Sequence, residues 1–401
     1  MAGRGDGLRS SVLVSAARTP FGGFGRTLRD TKATSLGAIA IRAAVERAGI
    51  QPDDVDYLLM GMVVQAGAGQ IPSRQAGMAA GLPAAVPSDT INKVCASGLR
   101  AVNIADMMIR AGEAAVVVSG GMESMSQAPY LMDRARWGGL RLGHGTIIDG
   151  VIRDGLWCPF RDVHMGALGD ASAKKHGVTR EEQDRWALRS HQRALAAIRE
   201  GRLREEIVPV EISQKHGPPV VLDTDEAPRP DTSLEKLARL RPAFTPDGTI
   251  TAGNAPGLND GAGALVVMEE AKARALGIQP LARIVAHGVA SADPADMPEV
   301  PALAAKAALD RAGLAASNIG LIEVNEAFAA VAIISMRLGG WDEDEVNVNG
   351  GAVALGHPIG ASGARILMTL IFEMRRRNVE FGLATICSGA AQGEATIVEL
   401  V

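Results

Sequence analysis

The chain contains three short segments twice, in the same order. Residues 43–50, 96–100 and 118–121 are matched, the last pair more weakly, by residues 307–314, 361–365 and 386–389. Similarities that keep their order along a chain are the signature of an internal repeat. We therefore predict two similar halves packed about a pseudo-twofold axis. The alternative is two unrelated copies of a common helix sequence.

Short apolar runs alternate with helix-length segments in both halves. The predicted helices include residues 35–48 and 302–312, and the predicted strands are residues 11–16, 57–64, 115–119, 264–268, 321–324, 383–386 and 395–400. Strands that alternate with helices are typical of an α/β architecture with largely buried sheets.

The stretch between the repeated segments has no counterpart in the second half. Thr179 and Glu182 form a capping-box pattern, which predicts a helix start, and Gly201 predicts its end. The basic, glycine-rich residues 134–145 are predicted to be an exposed loop, either solvated or in contact with another subunit. The predicted domains are an N-terminal half, an inserted loop domain and a C-terminal half, at residues 1–120 (completed by 250–275), 121–249 and 276–401.

Charge and cysteine content exclude several classes of protein. Lys and Arg number 41 and Asp and Glu 45, so a net charge of −4 offers no bulk attraction for nucleic acid or an anionic membrane. The three cysteines, Cys95, Cys158 and Cys387, are an odd and widely spaced set, which argues against a disulfide framework or a zinc site. We predict a cytoplasmic protein with no metal, no nucleic-acid partner and no membrane.

Cys95 precedes a predicted helix. Apolar residues follow it at helical spacing, and Gly112 fits the helix end; they are Leu99, Val102, Ala105 and Ile109. Free N–H groups and the helix dipole lower a thiol pKa at such a position, and the thiolate is the nucleophilic form. The sequence therefore predicts a catalytic Cys95 with a lowered pKa; the alternative is a buried structural cysteine.

His357 lies in a glycine-rich loop just before the helix that the repeat makes equivalent to the Cys95 helix. Two related helix starts that face each other across a pseudo-axis bring Cys95 and His357 together. A neutral imidazole can then accept the thiol proton. The alternative is a loop histidine that only caps a helix.

Two further candidates follow predicted strands of the second half. Cys387 enters a Gly/Ala loop after residues 383–386, a placement that suits the edge of an active site. Asn325 follows residues 321–324 and can orient a water or a ligand carbonyl. A buried structural cysteine and a helix cap are the respective alternatives.

The motifs around these candidates form an ordered set that spans nearly the whole chain. They are residues 92–100 (NKVCASGLR), 120–125 (GGMESM), 325–328 (NEAF), 356–360 (GHPIG) and 387–389 (CSG). In this order and at this spacing they resemble the thiolase family, and most closely its biosynthetic, acetyl-CoA acetyltransferase type. The resemblance implies two similar α/β halves in a five-layered α-β-α-β-α arrangement with an inserted loop domain.

The resemblance also implies a ping-pong Claisen reaction. Cys95 takes an acetyl group from acetyl-CoA with the help of His357, and Cys387 removes a proton from a second acetyl-CoA, giving acetoacetyl-CoA and coenzyme A. Fixed donors have to hold the oxyanions: His357 with a water on Asn325, and the N–H groups of Cys95 and Gly389. The family implies no cofactor, since coenzyme A is a substrate, and a homotetramer.

Other positions resemble the family's coenzyme A and acyl pocket. They are His164, Met165, Arg229, Ala255, Pro256 and Phe328. His164 and Met165 favour a short acyl chain. Three places depart from the family pattern: Ala390-Ala391 replaces two glycines, Pro256 replaces a serine, and Pro230 replaces a histidine. Pro256 removes a hydroxyl donor, which predicts weaker coenzyme A binding.

Three rival functions share parts of this pattern. A 3-ketoacyl-CoA thiolase of broader chain length has the same catalytic residues. A ketoacyl synthase uses one Cys with two His, which Cys387 argues against. A non-catalytic acyl-CoA carrier does not require Cys95, His357 and Cys387 together.

Overall fold

The repeated segments fold into two matching sets of strands and helices. The computed structural model describes residues 9–214 and 217–401. Residues 1–8 and 215–216, which the predicted domains include, lie outside that description. The first half contains β1 (Ser11–Arg18), β2 (Gly22–Gly23), α1 (Ala33–Ala48), β3 (Tyr57–Gly61), α2 (Pro72–Ala80), β4 (Ser88–Ile91), α3 (Ser97–Ala111) and β5 (Val116–Ser124).

The insertion follows β5 and consists of short strands and three helices. Its elements are β6 (Tyr130–Leu131), β7 (Ile148–Asp149), β8 (Trp157–Cys158), β9 (Val163–His164), α4 (Met165–Lys175), α5 (Arg180–Arg199), β10 (Val210–Ile212), β11 (Val220–Leu222) and α6 (Leu234–Ala238). The predicted capping box of Thr179 and Glu182 opens α5, and Gly201 follows its end with φ 74°.

The chain then completes the first half and builds the second. The remaining elements are β12 (Asn259–Glu269), α7 (Glu270–Ala275), β13 (Ala282–Ser291), α8 (Val300–Ala312), β14 (Leu321–Val324), α9 (Ala329–Gly339), α10 (Ala352–Leu355), α11 (Ser362–Arg377), β15 (Phe381–Ser388) and β16 (Gln392–Glu399). None of the helices in the described ranges is long and apolar enough to cross a membrane.

The sheet order shows the pseudo-twofold relation. The first half has the order β3-β5-β12-β1 and the second half β14-β15-β16-β13, and the two join where β1 pairs with β13. In each half the first pair is parallel and the next two are antiparallel. The prediction of two similar α/β halves is therefore confirmed. Strand β13 was not among the predicted strands, because polar residues such as Arg283 and His287 interrupt its apolar run.

Helices cover the outer face of each half of the sheet and also fill the space between the two halves. Helices α1 and α2 pack on one outer face, α8 and α9 on the other, and α3 and α11 lie between the sheets. A Cβ on Gly98 would come within 2.9 Å of the backbone of Ala364, and one on Gly363 within 2.4 Å of the N of Leu99. The repeated Ala-Ser-Gly motifs thus permit the close approach of α3 and α11, which places both helix starts at one site.

Candidate active site

A cavity of about 300 Å³ lies where the helix starts meet the insertion. Cys95, His357, Cys387 and Gly389 all line it, with an apolar wall that includes Met125, Leu156, Phe244 and Met297. Five of the six predicted coenzyme A contacts line it as well: His164, Met165, Ala255, Pro256 and Phe328. Asn325 and Arg229 do not.

Cys95 lies on a tight loop between β4 and α3. The preceding residue, Val94, has a left-handed backbone with φ 46°. The hydroxyl of Ser97 accepts the N–H of Lys93 at 2.8 Å and donates to the carbonyl of Val94 at 2.6 Å, which holds the loop in this shape. The loop therefore presents the Cys95 thiol at the start of α3, facing the cavity.

The prediction of a lowered thiol pKa at Cys95 is wrong. Burial raises the pKa of the Cys95 thiol to about 12, although the backbone N–H groups of Cys95 and Gly389 act in the opposite direction. Loss of water around the sulfur outweighs those two donors, and Glu123 adds a small unfavourable charge. Cys95 is thus a neutral thiol at rest. The two N–H groups converge near its sulfur, where a thioester oxygen would need donors.

His357 is held as a neutral base by Ser362. The hydroxyl of Ser362 donates to the carbonyl of Pro358 at 2.9 Å, so it can only accept from Nδ1 of His357, 2.6 Å away. Nδ1 therefore carries the proton, and Nε2, which has no partner among the described residues, keeps a free lone pair. Burial, with a smaller contribution from Arg365, lowers the pKa of His357 to about 3.

Cys387 is the penultimate residue of β15, and Gly389 begins the tight turn that follows the strand. Burial, and secondarily the repulsion that a thiolate would meet from the neighbouring Cys95 sulfur as that group ionises, raises the pKa of Cys387 well above its usual value, so the second thiol is also neutral at rest. Ala390 and Ala391 take left-handed conformations with φ 61° and 50°. Two residues with a Cβ therefore occupy a backbone conformation that favours glycine. This agrees with the sequence, in which these two alanines replace two glycines of the family pattern.

Asn325 directly follows β14, two residues before Ala327, which lines the cavity. Its N–H donates to the carbonyl of Thr385 at 3.0 Å, and α9 begins only at Ala329 with Phe328 as its cap, so Asn325 is not a helix cap. Both polar atoms of its buried carboxamide have no partner within the described ranges. Buried amides of this kind usually hold an ordered water.

An aromatic cluster forms part of the cavity wall. His164 caps α4, its Nδ1 accepts the N–H of Gly166 at 3.0 Å, and its ring stacks on Phe244 with centroids 4.5 Å apart. Phe328 meets Phe244 edge to face at 5.8 Å. Phe244 was missed from the sequence, and the only available signal was that aromatic residues are rare in this chain. Arg229 is exposed, and its backbone N–H donates to Nδ1 of His191 at 3.1 Å.

Glu123 lies in the motif at residues 120–125, but the sequence analysis did not name it as a candidate site residue. Its buried carboxylate accepts the N–H groups of Val63, Val64 and Gly360 at 3.0, 3.2 and 3.0 Å. Gly360 belongs to the loop that carries His357, so Glu123 ties that loop to the segment after β3. Burial raises the pKa of Glu123 to about 7.

Two family models match the chain over almost its whole length. They describe the thiolase N-terminal domain, over residues 11–271, and the thiolase C-terminal domain, over residues 278–400. The chain belongs to the thiolase family. The predicted resemblance is therefore confirmed.

Individual thiolases agree with this assignment. Proteins named acetyl-CoA acetyltransferase from Pseudomonas aeruginosa and Cupriavidus necator are 51% and 50% identical to this chain, each over 97% of the chain and 98% of the relative. The crystal structure of the Bacillus anthracis acetyl-CoA acetyltransferase superposes with a TM-score of 0.96 at 42% identity, covering 99% of this chain and all of that one. The predicted thiolase-like fold is confirmed.

Proposed function

We propose that the chain is an acetyl-CoA C-acetyltransferase, which condenses two acetyl-CoA molecules to acetoacetyl-CoA and coenzyme A and also runs the reverse thiolysis. The observation that carries the proposal is that Cys95, His357 and Cys387 line one cavity, with no partner for Nε2 of His357 among the described residues. Relatives about half identical over nearly their full length bear the name of this activity. Acetyl-CoA, acetoacetyl-CoA and coenzyme A are then its substrates and products, and no cofactor takes part.

Acylation of Cys95 is the first half-reaction. Because the thiol and the imidazole are both neutral at rest, proton transfer from Cys95 to Nε2 of His357 accompanies attack on the acetyl carbonyl rather than preceding it. The carbonyl oxygen becomes an oxyanion in reach of the N–H groups of Cys95 and Gly389. Collapse breaks the bond to coenzyme A, whose sulfur leaves with the proton from His357.

Condensation is the second half-reaction. Cys387 passes its proton to Nε2 of His357, and the Cys387 thiolate then removes a proton from the methyl group of the second acetyl-CoA. The enolate oxygen is held by the protonated His357 and by a water on Asn325. The carbanion attacks acetyl-Cys95, acetoacetyl-CoA forms, and the released Cys95 thiolate recovers its proton from His357.

Intact-mass measurement after incubation with acetyl-CoA tests the first step. We expect one added acetyl group on Cys95, and none on the Cys95→Ser protein. A thiolysis series across 3-ketoacyl-CoA chain lengths tests the substrate class. A parent protein that gains no acetyl group would support a carrier, and best activity on long chains would support a broader 3-ketoacyl-CoA thiolase.

We further propose that the chain is a cytoplasmic homotetramer. The segment between β6 and β7 carries apolar side chains that the described residues leave in solvent, with Trp137 89% and Leu142 98% exposed. Exposed apolar patches of this kind mark contact surfaces. All three cysteines are free, as a reducing compartment requires. Light scattering on the parent and on a Trp137→Ser/Leu142→Ser protein tests the assembly, and an unchanged mass would refute a role for this loop.

A further inference from the structure

The two catalytic cysteines belong to different halves of the fold, so their separation depends on contacts that cross between the halves. Cys95 lies on the loop before α3, and Cys387 is the penultimate residue of β15. Three contacts join these two places directly. We call them the inter-half contacts. They are the ion pair of Lys93 with Glu394, the hydrogen bond of Ser388 to Lys93, and the close approach of Gly389 to Val94.

The ion pair is the buried member of the inter-half contacts. Nζ of Lys93 donates to Oε2 of Glu394 at 2.5 Å, and the side chains are 14% and 0% exposed. Glu394 is on β16, where it pairs with Ile386, and its neighbour Gly393 pairs with Cys387. One end of the ion pair is thus two residues from the nucleophile, and the other is next to Gly393, the residue that lies opposite Cys387 in the ladder.

Glu394 receives its other donors from the nucleophile's own helix. Asn103 donates to Oε1 at 2.8 Å and Arg100 at 3.4 Å, and both residues are on α3. A carboxylate without water costs several kcal/mol unless donors surround it. The donors of Glu394 come from the Cys95 segment, so its desolvation is offset only when that segment is in its present position.

The backbone contacts place the oxyanion donors. The hydroxyl of Ser388 donates to the carbonyl of Lys93, which joins the residue after Cys387 to the residue two before Cys95. A Cβ on Gly389 would lie 3.3 Å from the side chain of Val94, so the two segments are close enough that any larger residue at this position would press on the Cys95 loop. The N–H groups of Gly389 and Cys95 converge near the Cys95 sulfur because of this close fit.

We propose that Lys93 and Glu394 are positioning residues that fix the Cys95 loop against the Cys387 strand and so set the geometry of the oxyanion donors and of the second thiol. The inference rests on the proposed function and adds to it a requirement outside the cavity. Neither side chain lines the cavity. A misplacement of about 1 Å in such a site costs on the order of 10²-fold in rate.

The test compares Lys93→Met, Glu394→Gln and the double variant with the parent enzyme. We expect kcat for thiolysis of acetoacetyl-CoA to fall about 10- to 100-fold, while KM and coenzyme A binding stay within about twofold, since the cavity wall is untouched. The kcat of the double variant should fall no further than that of the worse single variant, because both single substitutions break the same Lys93–Glu394 contact. Lys93→Arg, which keeps the charge, should recover most of kcat.

Glu399→Gln is the matched control. Glu399 is on the same strand, β16, and pairs with Arg283 at 2.7 Å, away from both cysteines. It should keep parental kcat. An equal loss in this variant would overturn the proposal, since any broken ion pair on β16 would then have the same effect.

The double variant also decides the case in which a single variant does not fold. It removes both charges of the Lys93–Glu394 pair, whereas a single substitution leaves one of them unpaired; only Arg100, which is 29% exposed, then loses a charged partner. A folded double variant with parental kcat overturns the positioning role. A parent enzyme that neither gains an acetyl group nor cleaves acetoacetyl-CoA refutes the proposed function instead, so the two failures are distinct.

Discussion

Cys387→Ala separates the two half-reactions. Cys387 is 1% exposed, and the substitution deletes one sulfur atom, a void the size of a methyl group that costs about 1 kcal/mol in folding free energy. The backbone N–H of Gly389 stays, so the oxyanion donors for acylation stay too. The variant should therefore form acetyl-Cys95, although more slowly than the parent.

Proton removal from the acetyl methyl group has no substitute for Cys387. The other titratable groups that line the cavity are Cys95, which carries the acetyl group, and two histidines. His164 accepts a backbone N–H at Nδ1, so its Nε2 carries the proton and cannot act as a base, while His357 is needed as an oxyanion donor. We expect the full loss of about 10²–10⁴-fold typical of a general acid–base group.

Two measurements on one sample of the Cys387→Ala protein check this reasoning. Intact mass after acetyl-CoA reports acylation, and deuterium uptake into acetyl-CoA from deuterated water reports methyl proton removal. Normal deuterium uptake would refute Cys387 as the base. Loss of acetyl-Cys95 would refute the claim that the acylation half-site is independent of the Cys387 thiol.

Four further predictions follow from the site. Cys95→Ser should abolish synthesis and thiolysis, because a serine hydroxyl stays protonated and is a far poorer nucleophile, and turnover near the parent level would contradict this. Since the pKa of Cys95 is raised to about 12, alkylation of Cys95 by iodoacetamide should rise about tenfold per pH unit from pH 7 to 9; a plateau there would show a lower pKa. Acetoacetyl-CoA should be cleaved faster than 3-ketohexadecanoyl-CoA, because His164 and Phe244 close the acyl end, and the reverse order would refute a short-chain cavity. Ala390→Gly should raise the free energy of unfolding by about 0.5–1 kcal/mol, since glycine relieves the left-handed φ of 61° at a smaller cost in unfolded-chain entropy; a lower midpoint in urea would contradict it.

Patterns repeated in the sequence predicted the architecture, because each repeat corresponds to one strand–helix unit. The pairing of the Ala-Ser-Gly helix starts predicted that Cys95 and His357 approach each other, and both line the cavity. The roles assigned to the site residues stay predictions until they are measured, as does the domain division, in which β5 continues to Ser124.

Features that depend on three-dimensional burial were beyond the sequence. The pKa of Cys95 depends on how much water its sulfur loses on folding. The expectation that a helix N-terminus lowers a thiol pKa does not take this loss of water into account. Nothing in the residues next to Glu123 distinguishes it from an ordinary acidic residue. The three backbone N–H groups that bind it come from segments about 60 and 237 residues away in the sequence. The exposed position of Arg229 likewise depends on how the insertion folds back.

The order of strands has a consequence for the synthesis of the protein. Strand β1 pairs with β12, Ser11 opposite Glu269, and β5 pairs with β12 as well. At about 5–20 residues per second, the ribosome takes on the order of ten seconds to pass from the end of β5 to β12. During that interval the edges of β1 and β5 are unpaired, and exposed strand edges invite aggregation. The second half closes its sheet with contiguous chain, so the length of the insertion sets how long the nascent first half is vulnerable, whatever the stability of the finished enzyme.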